Sequence, residues 1–179
     1  FCGSGTFLIE AAYKAKNIAP GIYRRFAAEK WDSLPSKIWQ TSREEAIEEI
    51  RKDIEFTAFG SDISQDSLEI AEANARRAGI SGLIRLEKAD VKNFTIPDRK
   101  SLVVTNPPYG ERLMNGEDLT KLYQTMGNVF QPSQQTAYYI ISSAENFEQN
   151  FGRKADKKRK LYNGMLKCNL YQYFAQKSK

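Results

Sequence analysis

A chain of 179 residues is long enough for one domain with its own core, and 41% hydrophobic with 27% charged residues is an ordinary globular balance. It holds no histidine, which removes Ser-His and Cys-His nucleophilic chemistry and His-ligated zinc, and Cys2 and Cys168 stand in unrelated contexts that suggest neither a disulfide framework nor a metal site. The net charge of +5 favours an acidic partner, nucleic acid being the common one, while the lack of a long apolar run or a signal-like start predicts a cytoplasmic protein without a membrane partner.

The chain opens on Phe1-Cys2-Gly3-Ser4-Gly5-Thr6, a glycine loop leading into a helix predicted over residues 6–16, with Leu8, Ala11, Ala12 and Ala15 on one face. Such a loop ordinarily follows a strand, so the expectation is a chain that continues upstream and a sheet lacking its first, central strand. Residues 17–40 read as an irregular insertion with Pro20, Gly21 and Pro35 and the aromatics Tyr23, Phe26, Trp31 and Trp39. A helix over 42–54 puts Ile47, Ile50 and Ile54 on one stripe. A strand over 56–61 ends at Asp62; Ser64 caps a helix over about 65–78, which Gly79 terminates.

A strand over 83–86 then leads to Asp90, and one over 101–105 to Asn106-Pro107-Pro108-Tyr109. A helix over 119–130 carries Leu119, Leu122, Met126 and Phe130, and a strand spans 136–142. Arg153, Lys154, Lys157, Lys158, Arg159 and Lys160 crowd a stretch that reads equally as a solvated lysine-rich loop or a phosphate-contacting patch. Strands over 160–162 and 165–174 flank a hairpin signal at Asn163-Gly164. The alternation predicts an α/β fold in one domain over 1–179, a parallel sheet covered by helices and closed by an antiparallel pair.

The polar residues at the predicted strand ends are the candidates for chemistry, because ligands of open α/β sheets bind at that edge. Gly3 and Gly5 allow a tight turn and close approach to a ligand, and the following helix start offers free amides; a plain strand-to-helix turn is the alternative. The loop has neither the Gly-Lys-Ser/Thr of a triphosphate site nor the third glycine of a dinucleotide site. Asp62 can accept from both hydroxyls of a ribose, or can merely cap a helix; Asp90, similarly placed, can accept from an adenine amino group.

Two prolines at 107 and 108 stop the strand and fix Asn106 at its carboxyl end. An exocyclic amino group is a poor nucleophile, since its lone pair is delocalised into the ring. The Asn106 side-chain oxygen and the Pro107 carbonyl can both accept from it, localising that lone pair, while Tyr109 offers a face for an extruded base. No histidine is needed. Pyrimidine C5 methylation would need a nucleophilic cysteine beside this motif, and neither cysteine is there.

Asn-Pro-Pro-Tyr at a strand end resembles the signature of enzymes that methylate planar nitrogens. Together with Phe-Cys-Gly-Ser-Gly-Thr at 1–6, Gly-Ser-Asp-Ile at 60–63 and Ala-Asp at 89–90, the chain resembles the Rossmann-like S-adenosylmethionine-dependent methyltransferases. Ile18-Ala19-Pro20-Gly21, Glu29-Lys30-Trp31, the run from Asn106 to Leu113, and Lys160-Leu161-Tyr162-Asn163-Gly164 narrow the likeness to bacterial THUMP-containing 23S rRNA guanine-N2 methyltransferases.

The resemblance implies a mostly parallel seven-stranded sheet with a terminal hairpin, and an upstream THUMP-like RNA-binding domain. It implies S-adenosylmethionine held by Phe1, Gly3, Gly5, Thr6, Asp62, Ile63, Asp90, Val91 and Asn106. It implies a catalytic set of Asn106, Pro107, Pro108 and Tyr109, with Arg112, Lys154, Lys157, Lys158, Arg159 and Lys160 toward ribosomal RNA. The expected reaction is methyl transfer to N2 of a guanine in ribosomal RNA. The same chemistry on a transfer RNA guanine, an adenine amino group or a protein glutamine is the enzymatic alternative, and a non-catalytic RNA-binding module the other.

Overall fold

The structure, a computed structural model, describes residues 1–108 and 116–176. Two β-α-β units form its frame. In the first, β1 (Ala58–Asp62) is joined by α3 (Gln65–Arg77) to β2 (Ile84–Lys88), which pairs with it in parallel. α1 (Thr6–Lys16) packs on the same small sheet. Ala12, Ala58, Ala75, Ile80 and Ile84 form the buried centre between them, with Leu8, Ile9 and Leu86 around it. Small residues let α1 and α3 lie close to the strands. A Cβ at Gly60 would overlap Leu8 and come within 3.2 Å of Cys2 and Leu86, so this glycine admits α1 onto β1.

In the second unit, β3 (Ser101–Thr105) is joined by α4 (Gly116–Val129) to β4 (Thr136–Ser142), again in parallel. α5 (Phe147–Phe151) and the hairpin of β5 (Lys157–Asn163) and β6 (Leu166–Tyr173) complete the order β3-β4-β6-β5. β4 alternates buried and half-buried residues, turning Thr136, Tyr138, Ile140 and Ser142 inward. Aromatic rings fill this core. Phe130 stacks on Tyr138, Phe147 on Phe151, and Tyr123 meets Phe147 edge-on with its hydroxyl 3.0 Å from that of Ser142. Burial pushes the Tyr171 and Tyr173 hydroxyls up; they donate to the carbonyls of Ala144 and Arg153.

The expected α/β architecture forms: the described residues make six strands in two sheets, and the two antiparallel pairings among the four both involve β6 of the terminal hairpin. No described strand runs between β1 and β3, where the sequence leads one to expect a further, central strand, so each leaves an edge open among the described residues. Three finer expectations need correction. The helix expected over 42–54 is α2 (Ser36–Glu48), which begins inside the insertion read as irregular. Pro35, with φ already near the helical value, sets its start.

The basic stretch is no loop; its second half is the edge strand β5. Charged side chains on an outer strand also discourage pairing with another sheet. The hairpin turn, finally, is Gly164-Met165, because Asn163 still pairs with Leu166. Gly164 has φ of +61°, as a type II′ turn requires of its first central residue.

Lys158 is tied down by Glu148 of α5 at 2.7 Å, and Glu148 also accepts from the Ala155 N–H at 2.7 Å. Burial alone pushes the Glu148 carboxyl up, but Lys158 and the Ala155 amide outweigh it and hold it below the usual glutamate range. A lowered folded-state value contributes stability above the unfolded value, and that stability is lost as pH falls through the folded one. The expected result is that Glu148→Gln removes this acid-side dependence. The urea midpoint should drop by no more than about 1 kcal/mol equivalent near neutrality, because the pair is partly exposed, and should converge with wild type in acid.

Candidate active site

The glycine loop, Asp62 and Asp90 come together at the carboxyl ends of β1 and β2. The backbone nitrogens of Phe1 and Cys2 both donate to the Ser61 carbonyl, at 2.7 and 2.9 Å, laying the start of the chain along the open edge of β1. Gly5, at φ +79°, caps α1, and a Cβ there would stand 3.0 Å from that of Ala71, so the loop also rests on α3. Asn74 of α3 donates to the Ser4 carbonyl at 3.0 Å. Asn74 and Ala71 were not singled out by sequence. The available signal was a polar side chain one position before the buried Ala75 on an otherwise small, inward stripe.

Asp62 is nearly buried at 9% exposure, and both its oxygens are engaged. Oδ2 accepts from the Gly3 N–H and Oδ1 from the Ser64 N–H, each at 3.0 Å. It is not the helix cap; Ser64 takes that role, accepting from the Ser67 N–H. Each carboxylate oxygen still has a lone pair for a ligand hydroxyl. Ile63, next to it, is 64% exposed, and Thr6 is exposed at the start of α1 with its hydroxyl 3.0 Å from that of Ser4.

Asp90 caps the short turn Val91–Asn93, accepting from the Lys92 N–H at 2.9 Å, with the Lys92 ammonium 3.4 Å from its other oxygen. That N–H, aided by the ammonium, holds the carboxyl below the usual aspartate range and therefore ionised as an acceptor. Phe1 and Val91 pack against the aromatic core, joining the loop region to the second unit. Burial pushes the Cys2 thiol up, so it is a poor nucleophile there.

Asn106 follows β3 and is exposed, whereas Pro107 is fully buried and Pro108 half-buried. The buried proline anchors the chain while the amide stays free to meet a ligand. Thr105, immediately before, is buried, and its hydroxyl has no partner among the described residues. Tyr109 and Arg112, and the Gly-Glu-Arg-Leu continuation with them, lie outside the described residues. Of the basic set, Lys154, Lys157, Arg159 and Lys160 are exposed, and Lys158 is bound to Glu148. Arg153 is not available to a phosphate: it stacks over Phe151 and Tyr173 and donates to the Phe130 carbonyl. A cleft of about 410 Å³ between Tyr138, Arg153 and Tyr173 lies at the other end of β4 and β6 and contains none of the strand-end residues.

The glycine loop and two acids thus stand at the carboxyl ends of β1 and β2, and the amide stands at the carboxyl end of β3. The family model of RMKL-like methyltransferase domains (UPF0020) matches residues 1–172. YpsC of Bacillus subtilis strain 168, provisionally designated an RNA methyltransferase, is 43% identical over 98% of this chain and 46% of its own length. Ribosomal RNA large subunit methyltransferase K/L of Shewanella baltica is 38% identical over 100% of this chain and 26% of its own.

Among solved structures, SMU.472 complexed with SAH is 43% identical, with a TM-score of 0.95 over 99% of this chain and 47% of that one. The structure of a predicted N6-adenine-specific DNA methylase from Listeria monocytogenes is 42% identical, with a TM-score of 0.88 over 98% of this chain and 45% of that one. The chain thus spans less than half of the length of each of these four relatives. By its sequence over nearly its whole length, and by its fold, the chain belongs to the UPF0020 family of RMKL-like methyltransferase domains.

Proposed function

We propose that this domain transfers a methyl group from S-adenosylmethionine to an exocyclic amino group in RNA, and more narrowly to N2 of a guanine in large-subunit ribosomal RNA. The observation that carries this reading is the exposed Asn106 on its buried proline anchor at the carboxyl end of β3, together with an acid bound to a glycine loop at the carboxyl end of β1. Relatives designated as RNA and ribosomal RNA methyltransferases support the substrate class. The same reading includes a THUMP-like RNA-binding domain elsewhere in the full-length protein.

The residues present fit the cofactor. A Cβ on Gly3 would meet nothing within 4 Å, so the space outside the loop is open to a ligand. Asp62 would take the ribose hydroxyls and Asp90 the adenine amino group. The apolar Ile63, Val91 and Phe1 would line the flat faces, and Gly5 and Thr6 would present the helix start. When bound, S-adenosylmethionine supplies an electrophilic methyl carbon. Asn106 and the Pro107 carbonyl would accept from the amino group of an extruded base, directing its lone pair outward, with Pro108 and Tyr109 walling the pocket. The proton would leave to water, as no basic side chain stands beside Asn106 among the strand-end residues named.

Asp62→Ala is expected to weaken S-adenosylmethionine binding by roughly 10- to 100-fold, since it removes charge-assisted hydrogen bonds to the ligand and the tether to Gly3. Isothermal calorimetry on the full-length protein would measure it. A variant that binds like wild type would remove Asp62 from the site.

An adenine amino group is the second reading, favoured by the Listeria structure named as an N6-adenine methylase. Side-by-side assays on unmodified ribosomal RNA, transfer RNA, DNA and a glutamine-containing peptide would separate the substrates. N2-methylguanosine confined to large-subunit RNA is the expected product. N6-methyladenine instead would overturn the guanine assignment, and no heat on titrating S-adenosylmethionine would leave only an RNA-binding module.

A further inference from the structure

The β5–β6 hairpin stands well above the sheet edge that carries Asn106. Register fixes how far: Thr105, Ile140, Tyr171 and Lys158 lie at one level across the four strands. β5 runs parallel to β3 and then continues to Asn163, about five residues or roughly 17 Å past that level. β4 makes its last pair at Ser142, the level of Lys160, so among the described residues the upper part is a two-stranded ribbon with no third strand beside it.

Its composition does not suit a bare projection into water. Tyr162 is 66% exposed, Met165 101% and Leu166 46%, and Lys160 and Lys167 are exposed beside them. Tyr162 pairs with Lys167 and is two residues from Lys160, so ring and both ammonium groups share one face. A flat ring flanked by two cations, with a polarizable thioether at the tip beyond it, matches a polyanion that carries stackable rings. Three strand spacings, roughly 14 Å, separate β5 from β3. The tip therefore reaches nucleotides several positions from one held at Asn106, not the held base itself.

We propose that this hairpin is an RNA-holding arm. Tyr162 and Met165 stack on unpaired bases a few nucleotides from the methylated one, and Lys160 and Lys167 close on the intervening phosphates. The proposal rests on the RNA reading above and assigns that substrate an unpaired stretch beside the target.

The full-length protein and its Tyr162→Ala/Met165→Ala variant would be titrated with fluorescein-labelled twelve-nucleotide oligouridylate, followed by anisotropy. Methyl transfer to unmodified large-subunit RNA would be followed in parallel. The variant is expected to bind the oligonucleotide about tenfold more weakly or worse, and to raise KM for the RNA with kcat unchanged. A Lys160→Ala/Lys167→Ala variant should lower the salt dependence of binding. Wild-type affinity in both variants, or a loss of kcat at unchanged KM, would overturn the arm. If the wild-type protein methylates no RNA at all, the function proposed above fails, while the oligonucleotide titration still decides whether the hairpin holds RNA.

Discussion

Asn106→Ala is expected to cut methyl transfer by at least about 100-fold while leaving S-adenosylmethionine affinity within a few-fold of wild type. The amide oxygen is one of two acceptors proposed to draw the amino protons and free the lone pair. Removing one such preorganised group from an active site costs on the order of 10² to 10³ in rate. Its loss should fall on kcat, because the interaction strengthens as the nitrogen pyramidalises toward the methyl carbon. Folding should hardly notice. Asn106 is exposed, and the anchoring of the strand end rests on the buried Pro107 instead. Single-turnover rates with saturating RNA, alongside calorimetry, test both halves. Near-normal turnover would end the proposed chemistry. A parallel collapse of cofactor affinity would move Asn106 from the acceptor role to cofactor binding.

The largest stability effect is expected at a position far from that chemistry. Gly127 lies in α4 where the helix crosses the end of α5. A Cβ there would overlap the Phe151 carbonyl oxygen and sit 2.8 Å from its carbon. Helix propensity alone favours alanine by about 1 kcal/mol. The obstacle is backbone, however, so relief requires the two helices to separate. Phe151 would move with them, disturbing its contacts with Phe130, Phe147 and Tyr173. Overpacking should win, with Gly127→Ala costing about 3 kcal/mol and lowering Tm by roughly 6–12 °C. Thermal melts followed at the tyrosine band check this; an unchanged or raised Tm would mean that α5 is free to shift.

The parts of this fold that sequence exposes are those where local chemistry and tertiary context agree. α3 is bounded as expected because Ser64 supplies a hydrogen-bonding cap and Gly79 takes a positive φ. β3 ends where two prolines end it. Asp62 is legible in position for the same reason, as the polar residue that closes β1, and Asp90 follows the end of β2 by two residues.

Other elements are visible only in three dimensions. α5 spans one turn, with Phe147 and Phe151 as its buried residues, too short for periodicity to register. β5 is four consecutive cations before it is a strand. Its pairing comes from β6, against any reading of local preference. The stripe Ile47-Ile50-Ile54 misled, since Ile50 and Ile54 lie past the end of α2, Ile47 is exposed, and the helix buries none of its residues. At the site, sequence names Asp62 and Gly3 but not the hydrogen bond between them, which depends on α1 and β1 lying side by side. Nor does it name Asn74, whose partner is 70 residues away.

The distribution of rings in the molecule gives it two separate optical labels. Both tryptophans, Trp31 and Trp39, sit in the segment between α1 and β1, Trp31 exposed and Trp39 stacked on Phe26 at 5.8 Å. The core around β4 and β6 is built from tyrosine and phenylalanine instead. Indole fluorescence therefore reports on the insertion alone, while the near-ultraviolet dichroism also carries the buried Tyr123, Tyr138, Tyr171 and Tyr173, so what it shows beyond the indole signal reports chiefly on the packed sheet. Recorded together during unfolding or RNA titration, the two signals would time the insertion and the core independently, without any added dye.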